Sequence, residues 1–171
     1  MLTLADEQHY VYLAVHGASH AWFRLKWLVD FCWWLSQLHE QDIVGMHRAA
    51  VRSGAGRCSA QGLLLAHRLF GFRVPLELLS EFARNPLIRF LVQLAERAIA
   101  SRGGAVELAE KRVLARSILW SQLLLSDLPG YRRQAIRERL RGVGAPEGGR
   151  EEGGFRVLRR SGRALHRLLR P

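Results

Sequence analysis

The sequence predicts an all-α protein: a helical bundle of about six to eight helices in a domain over residues 1–141, then a glycine-rich linker and basic C-terminal tail at 142–171. Three observations carry that expectation. Apolar residues recur at helical spacing along most of the chain. No run of alternating β-branched residues stands between turn signals, as a strand needs. Gly and Pro fall at intervals that suit helix ends.

The elements follow in order. Thr3-x-x-Asp6 resembles a capping box and opens a helix from about Leu4 to His16. Gly17 and Ser19 break the chain before a second helix, from about Ala21 to Leu38. Asp42 can cap a third, to about Ser53, and Gly54-Ala-Gly56 separates it from a fourth that ends near Gly71. Pro75 and Pro86 suit the first turns of two more. A long helix runs from about Ala105 to Ser126 and stops at Pro129-Gly130. Six of the thirteen residues from Gly142 to Gly154 are glycine, a linker composition, and FRVLRRSGRALHRLLRP beyond it can form a basic amphipathic helix.

Composition bounds the class. The 171 residues, 49% of them hydrophobic, suffice for one domain with a core and exclude a wholly disordered chain. The most apolar segment, Trp22 to Leu38, contains Arg24, Lys26 and Asp30 and falls short of a transmembrane span of about 20 residues. The N-terminus, MLTLADEQ, carries acids where a signal peptide has a basic region. Cys32 and Cys58 alone indicate neither a disulfide framework nor a cysteine zinc site, which places the protein in a reducing, cytoplasmic setting. Residues 131–171 hold 12 basic and 4 acidic side chains out of a net charge of +11. Such a tail attracts nucleic acid or anionic lipid without sequence preference, or is simply solvated.

The densest chemistry lies in VHGASHAWFRLKWLVDF, Val15 to Phe31. His16 and His20 are spaced i, i+4, with His9 seven residues before His16, which is metal-ligand spacing. Zinc needs three or four ligands, no Cys or acid recurs at the right offset, and two histidines bonding backbone or each other is the competing account. Lys26 and Asp30 are also i, i+4. One reading is a structural ion pair. The other is a partly buried pair facing a groove, where the ammonium contacts a phosphate and the carboxylate orients or deprotonates a nucleophile. Trp22, Trp27, Trp33, Trp34 and Trp120 read as core and helix-contact residues. Trp33 and Trp34 point about 100° apart on a helix, so one of them faces a second contact surface.

The string His16, Gly17, His20, Trp22, Leu25, Lys26, Trp27, Leu28, Asp30 is similar to the signature His-Gly-x-x-His-x-Trp-x-x-Leu-Lys-Trp-Leu-x-Asp of an uncharacterised bacterial nucleotidyltransferase-like family. The resemblance continues more loosely to about Leu125, through GLLLAHRLFG and Pro75. In that family the signature belongs to a helical C-terminal half. The resemblance therefore implies a truncated chain whose catalytic N-terminal half is absent, with transfer of a nucleotidyl group as the family activity. It implies His16, His20, Trp22 and Lys26 as substrate-binding residues and Lys26 and Asp30 as catalytic candidates. Magnesium and a nucleoside triphosphate enter only if a catalytic domain or subunit is supplied as partner; this chain alone calls for no cofactor.

One imitation of a catalytic centre fails. Gly17-Ala-Ser19 followed by Asp30-Phe31-Cys32 copies a small turn followed by Asp-x-Asp, but Cys32 stands where the second acid belongs. Two-metal transfer requires at least two converging carboxylates. No Walker loop, dinucleotide-binding glycine pattern or Gly-x-Ser-x-Gly occurs. A non-enzymatic helical module using its arginine-rich end on nucleic acid or acidic membrane is the alternative, and a small metal protein through His9, His16 and His20 a third.

Overall fold

In a computed structural model of the chain, residues 4–101, 117, 118 and 120–126 are described, all within one compact unit over residues 1–127. The expected linker and tail at 142–171, and most of the long helix after Ala105, lie outside them. The described residues form an all-α bundle of six α-helices: α1 (Leu4–Ser19), α2 (Leu25–Leu35), α3 (Glu40–Arg52), α4 (Gly56–Phe70), α5 (Leu76–Arg84) and α6 (Pro86–Ala100). A short 3-10 helix, Gln122–Leu124, follows. Among the described residues, no helix is long and apolar enough to cross a membrane.

Helix α4 is the axis of the bundle. Every residue from Cys58 to Ala66 is buried, and α1, α2, α3, α5 and α6 all pack against it. A helix apolar on all sides belongs inside, and Ala60, Gly62, Leu63, Leu64 and Leu65 provide that. Gly71 closes α4 in the left-handed conformation (φ 65°), its N–H donating to the His67 carbonyl, as a glycine C-cap should. Asn85 caps α6 by accepting from the Leu87 and Ile88 amides at 3.0 and 3.3 Å, with Pro86 at the first helical position.

The first two boundaries depart from expectation for one reason. Helix α1 runs through Gly17 to Ser19, and α2 starts only at Leu25. Between them Ala21 and Trp22 both take positive φ (49° and 53°), a left-handed reversal that propensity gives no reason to expect of either residue. The reversal lays the Trp22 indole flat on α1, and a Cβ at Gly17 would run into that ring. On its other side, a Cβ at Gly62 of α4 would sit 2.9 Å from both Trp22 and Phe31. Two glycines on two helices thus form the slot that Trp22 fills. Tertiary burial of Trp22, which is 0% exposed, overrides the strain of the turn.

Other groups hold the turn shut. Ala21 packs on Leu94 and Ala98 of α6 and on Ile118. The Gln122 side-chain amide donates to the Ser19 carbonyl at 2.8 Å, satisfying a carbonyl at the end of α1.

Candidate functional site

The seam between α1 and α2 is a ladder of rings. Running antiparallel, His9 stacks on Trp34 (centroids 5.9 Å apart, planes 6° apart) and His16 meets Trp27 edge-on at 4.8 Å. His9 and His16 are seven residues apart on α1, and Trp27 and Trp34 are seven apart on α2, so each histidine finds its own tryptophan two turns along. His20 contacts the same Trp27 at 5.0 Å, and the two imidazoles lie 5.2 Å apart. Phe23 closes on Trp27 at 5.2 Å, and the exposed Arg24 guanidinium rides over both rings at 5.7 and 5.6 Å. Tyr12, 57% exposed, extends the ladder by stacking on His16.

Burial holds the His16 pKa below its ordinary value. The same desolvation lowers that of His20, with smaller contributions from His16 and Arg24 nearby. Both imidazoles are therefore neutral at pH 7. They offer hydrogen-bond partners rather than charge; the fixed cation beside His20 is Arg24, and Lys26 follows in the first turn of α2.

The structure sorts the sequence string by burial. Gly17, Trp22 and Leu28 point inward and build the slot and core. Trp22 has no surface to offer a ligand, which corrects its expected role in substrate binding: its ring packs on Phe31 at 5.3 Å. His16 and His20 are half-buried at the corner. Lys26 and Asp30 form an ion pair at 3.1 Å that stands in solvent, their side chains 81% and 49% exposed. The partly buried pair is corrected accordingly: three residues of α2, Leu28, Phe31 and Leu35, take the core face, and the pair lies outside it. The metal set fails as well. His9 sits two turns from His16 against its own tryptophan, and among the described residues no three His, Cys, Asp or Glu side chains converge to hold a metal ion.

Sequence reading missed a second polar cluster, inside the bundle. The Tyr10 hydroxyl of α1 meets Ser59 Oγ of α4 at 2.5 Å, and Ser59 Oγ meets His47 Nδ1 of α3 at 2.8 Å. His47 Nε2 looks outward at Glu81 of α5 from 4.0 Å, and its ring packs edge-on against Phe82. With the proton on Nε2 the chain is satisfied throughout, Tyr10 donating to Ser59 and Ser59 to His47. Burial, helped by the nearby Arg48 charge, lowers the His47 pKa to about 4, and burial raises that of Tyr10. Ser59 is 0% exposed, so this trio ties three helices together and meets no substrate. A signal for it existed. Ile43, Met46, His47 and Ala50 follow i, i+3, i+4, i+7, which puts a histidine in the core stripe of α3.

The chain is similar to a family described as Uncharacterised nucleotidyltransferase, whose model matches residues 1–71. That stretch is α1 to α4, ending at Gly71. No curated protein and no solved structure matches. The position of the match corrects the expectation of a C-terminal part whose first half is missing. The family-like region lies at the N-terminal end of this chain and is present, so the chain is not solely a C-terminal fragment lacking it. Nor does the match reach Leu125, where the looser resemblance was expected to run.

Proposed function

We propose that the α1–α2 corner is the nucleotide-binding surface of a nucleotidyltransferase-like protein. One observation carries the reading. Within the family-matched stretch, the buried members of the string build a strained, clamped turn. At the surface that turn presents Arg24 over a platform of aromatic rings and neutral imidazoles, and Lys26 follows, exposed, in the first turn of α2. Cations take phosphates, and rings or a guanidinium plane take a base by stacking. Lys26 is free to trade partners, because an exposed pair with Asp30 is worth at most about 1 kcal/mol. Asp30 then orients the hydroxyl of an acceptor, and His16 and His20 offer it hydrogen-bond partners.

The corner binds; we do not assign it the transfer step alone. Magnesium-assisted transfer needs paired carboxylates, and Asp30 is followed two positions later by Cys32 rather than a second acid. The excess of basic residues at 131–171 adds a salt-sensitive attraction for polyanions. Cys32 and Cys58 stand as thiols rather than as a disulfide, which fits a reducing cytoplasm.

Calorimetric titration of the whole chain with nucleoside triphosphates, with and without magnesium, tests the reading. The expected result is saturable binding that weakens about tenfold or more in Lys26→Ala and in Arg24→Ala, a loss of roughly 1.4 kcal/mol or more per cation. Absence of binding at millimolar nucleotide, or equal affinity in the double variant, would refute it.

A further inference from the structure

The outward face of α2 carries an apolar stripe that, among the described residues, stands exposed. Leu25, Val29 and Trp33, spaced i, i+4, i+8, are 45%, 47% and 67% exposed. Along one flank of that stripe run Lys26 and Asp30. The geometry points to a second copy of this chain as the occupant, with two α2 helices packed antiparallel about a two-fold axis at Val29.

Three features of the stripe are self-complementary under that operation. Val29 meets Val29 of the partner subunit at the axis, where a small side chain lets the helices approach. Leu25 meets the partner subunit's Trp33 at each end, so the bulky ring covers the shorter side chain twice. On the flank, Lys26 lies within about 3 Å, measured along the axis, of the level of the partner subunit's Asp30, since two residues of helix rise that far. A two-fold brings the same flank of both helices together, so Lys26 and Asp30 of one protomer face their opposites on the other. The order cation then anion along the helix makes the flank attractive to itself in the antiparallel pairing.

Three apolar side chains per protomer form an interface well below the size of obligate dimers. The pairing is therefore reversible and populated at high protein concentration. It goes beyond the nucleotide reading and stands without it. Trp27 projects about 160° around α2 from Val29, so the ring ladder stays open to solvent in both protomers. Lys26 and Asp30, at the rim, are the two residues that both readings use.

Cysteine crosslinking of the full chain, run without nucleotide, decides the matter independently of ligand binding. In a Cys32→Ser background, Val29→Cys should form an intermolecular disulfide at least tenfold faster than Val51→Cys, an equally exposed site on α3. Trp33→Lys should remove that advantage. Lys26→Glu and Asp30→Lys should each slow the crosslink, and the double variant Lys26→Glu/Asp30→Lys should restore it. Equal rates at Val29 and Val51, or a double variant no faster than the singles, would overturn the proposal. A chain that stays monomeric up to millimolar concentration while Trp33 emission shifts blue on anionic vesicles would overturn it too, and assign the stripe to a lipid surface.

Discussion

Two histidine clusters lie in this bundle, and they differ in the place of the polar atoms. At the α1–α2 corner, His16 packs edge-on and His20 tilted against Trp27, beneath the exposed Arg24. Inside the bundle, His47 has Ser59 on one nitrogen and Glu81 beyond the other, with Tyr10 completing the chain. The inner cluster spends its hydrogen bonds on other helices and is closed. The corner spends its rings on packing and leaves cations and ring edges outward. Of the two, the corner keeps groups turned to solvent, and the inner cluster joins α1, α3 and α4 through hydrogen bonds.

That contrast can be broken from the inside outward. The largest effect is expected from the slot beneath the corner. Trp22→Ala should cost about 3–5 kcal/mol, as loss of a fully buried aromatic ring does. Gly17→Ala should cost about 1–3 kcal/mol, because the new methyl meets the ring. Denaturant unfolding monitored by circular dichroism measures both. Neither change removes an exposed group of the corner, so any ligand binding that survives folding should be kept.

Next in size is the pH response of the inner cluster. The His47 imidazole takes its proton near pH 4 in the folded protein and near 6.5 when unfolded. Between those values the unfolded state binds more protons, so stability falls as the solution is acidified. The contribution is complete above about pH 6.5 and lost by about pH 4, on the order of 3 kcal/mol over the window. His47→Gln should flatten that part of the profile, leaving the carboxylates to set the rest. An unchanged slope between pH 6.5 and 4 would show that His47 is not held neutral.

The smallest effect is expected at the surface. Lys26→Ala and Asp30→Ala should each shift stability by at most about 0.5 kcal/mol, the range of exposed i, i+4 pairs. Thermal melts check this. A loss of several kcal/mol in either variant would put the pair back into a buried setting and remove the distinction between scaffold and surface.

These magnitudes show what the sequence could and could not disclose. Helical spacing, Gly71 and Pro86 placed α4 and α6 closely, because caps and apolar stripes are local signals. The α1–α2 reversal was not legible. It rests on Trp22 entering a slot made partly by Gly62, forty residues away, and local propensity carries no trace of that. The string itself stood out, yet residue type could not say which members face inward. Trp22 and Trp27 look alike in sequence, one being wholly buried and the other half-exposed. Lys26 and Asp30 were expected beside buried neighbours because every residue between them is apolar. On α2 only Leu28 of those three is buried, Val29 being exposed and Trp27 half-buried. His47 escaped notice for the opposite reason: a lone histidine in an apolar stripe is ordinary until its partners, 12 and 37 residues away, are known.

The division of the string into scaffold and binding surface is tested most directly by the tryptophan indoles. The five tryptophans give five Nε1–H signals in a nitrogen–proton correlation spectrum of the labelled chain. On titration with a nucleoside triphosphate, the Trp27 signal should move progressively to saturation while that of Trp22 stays in place. Lys26→Ala should delay the Trp27 shift to higher ligand concentration. A spectrum in which Trp27 stays still while Trp33 or Trp120 alone responds, or in which no indole moves, would contradict the account.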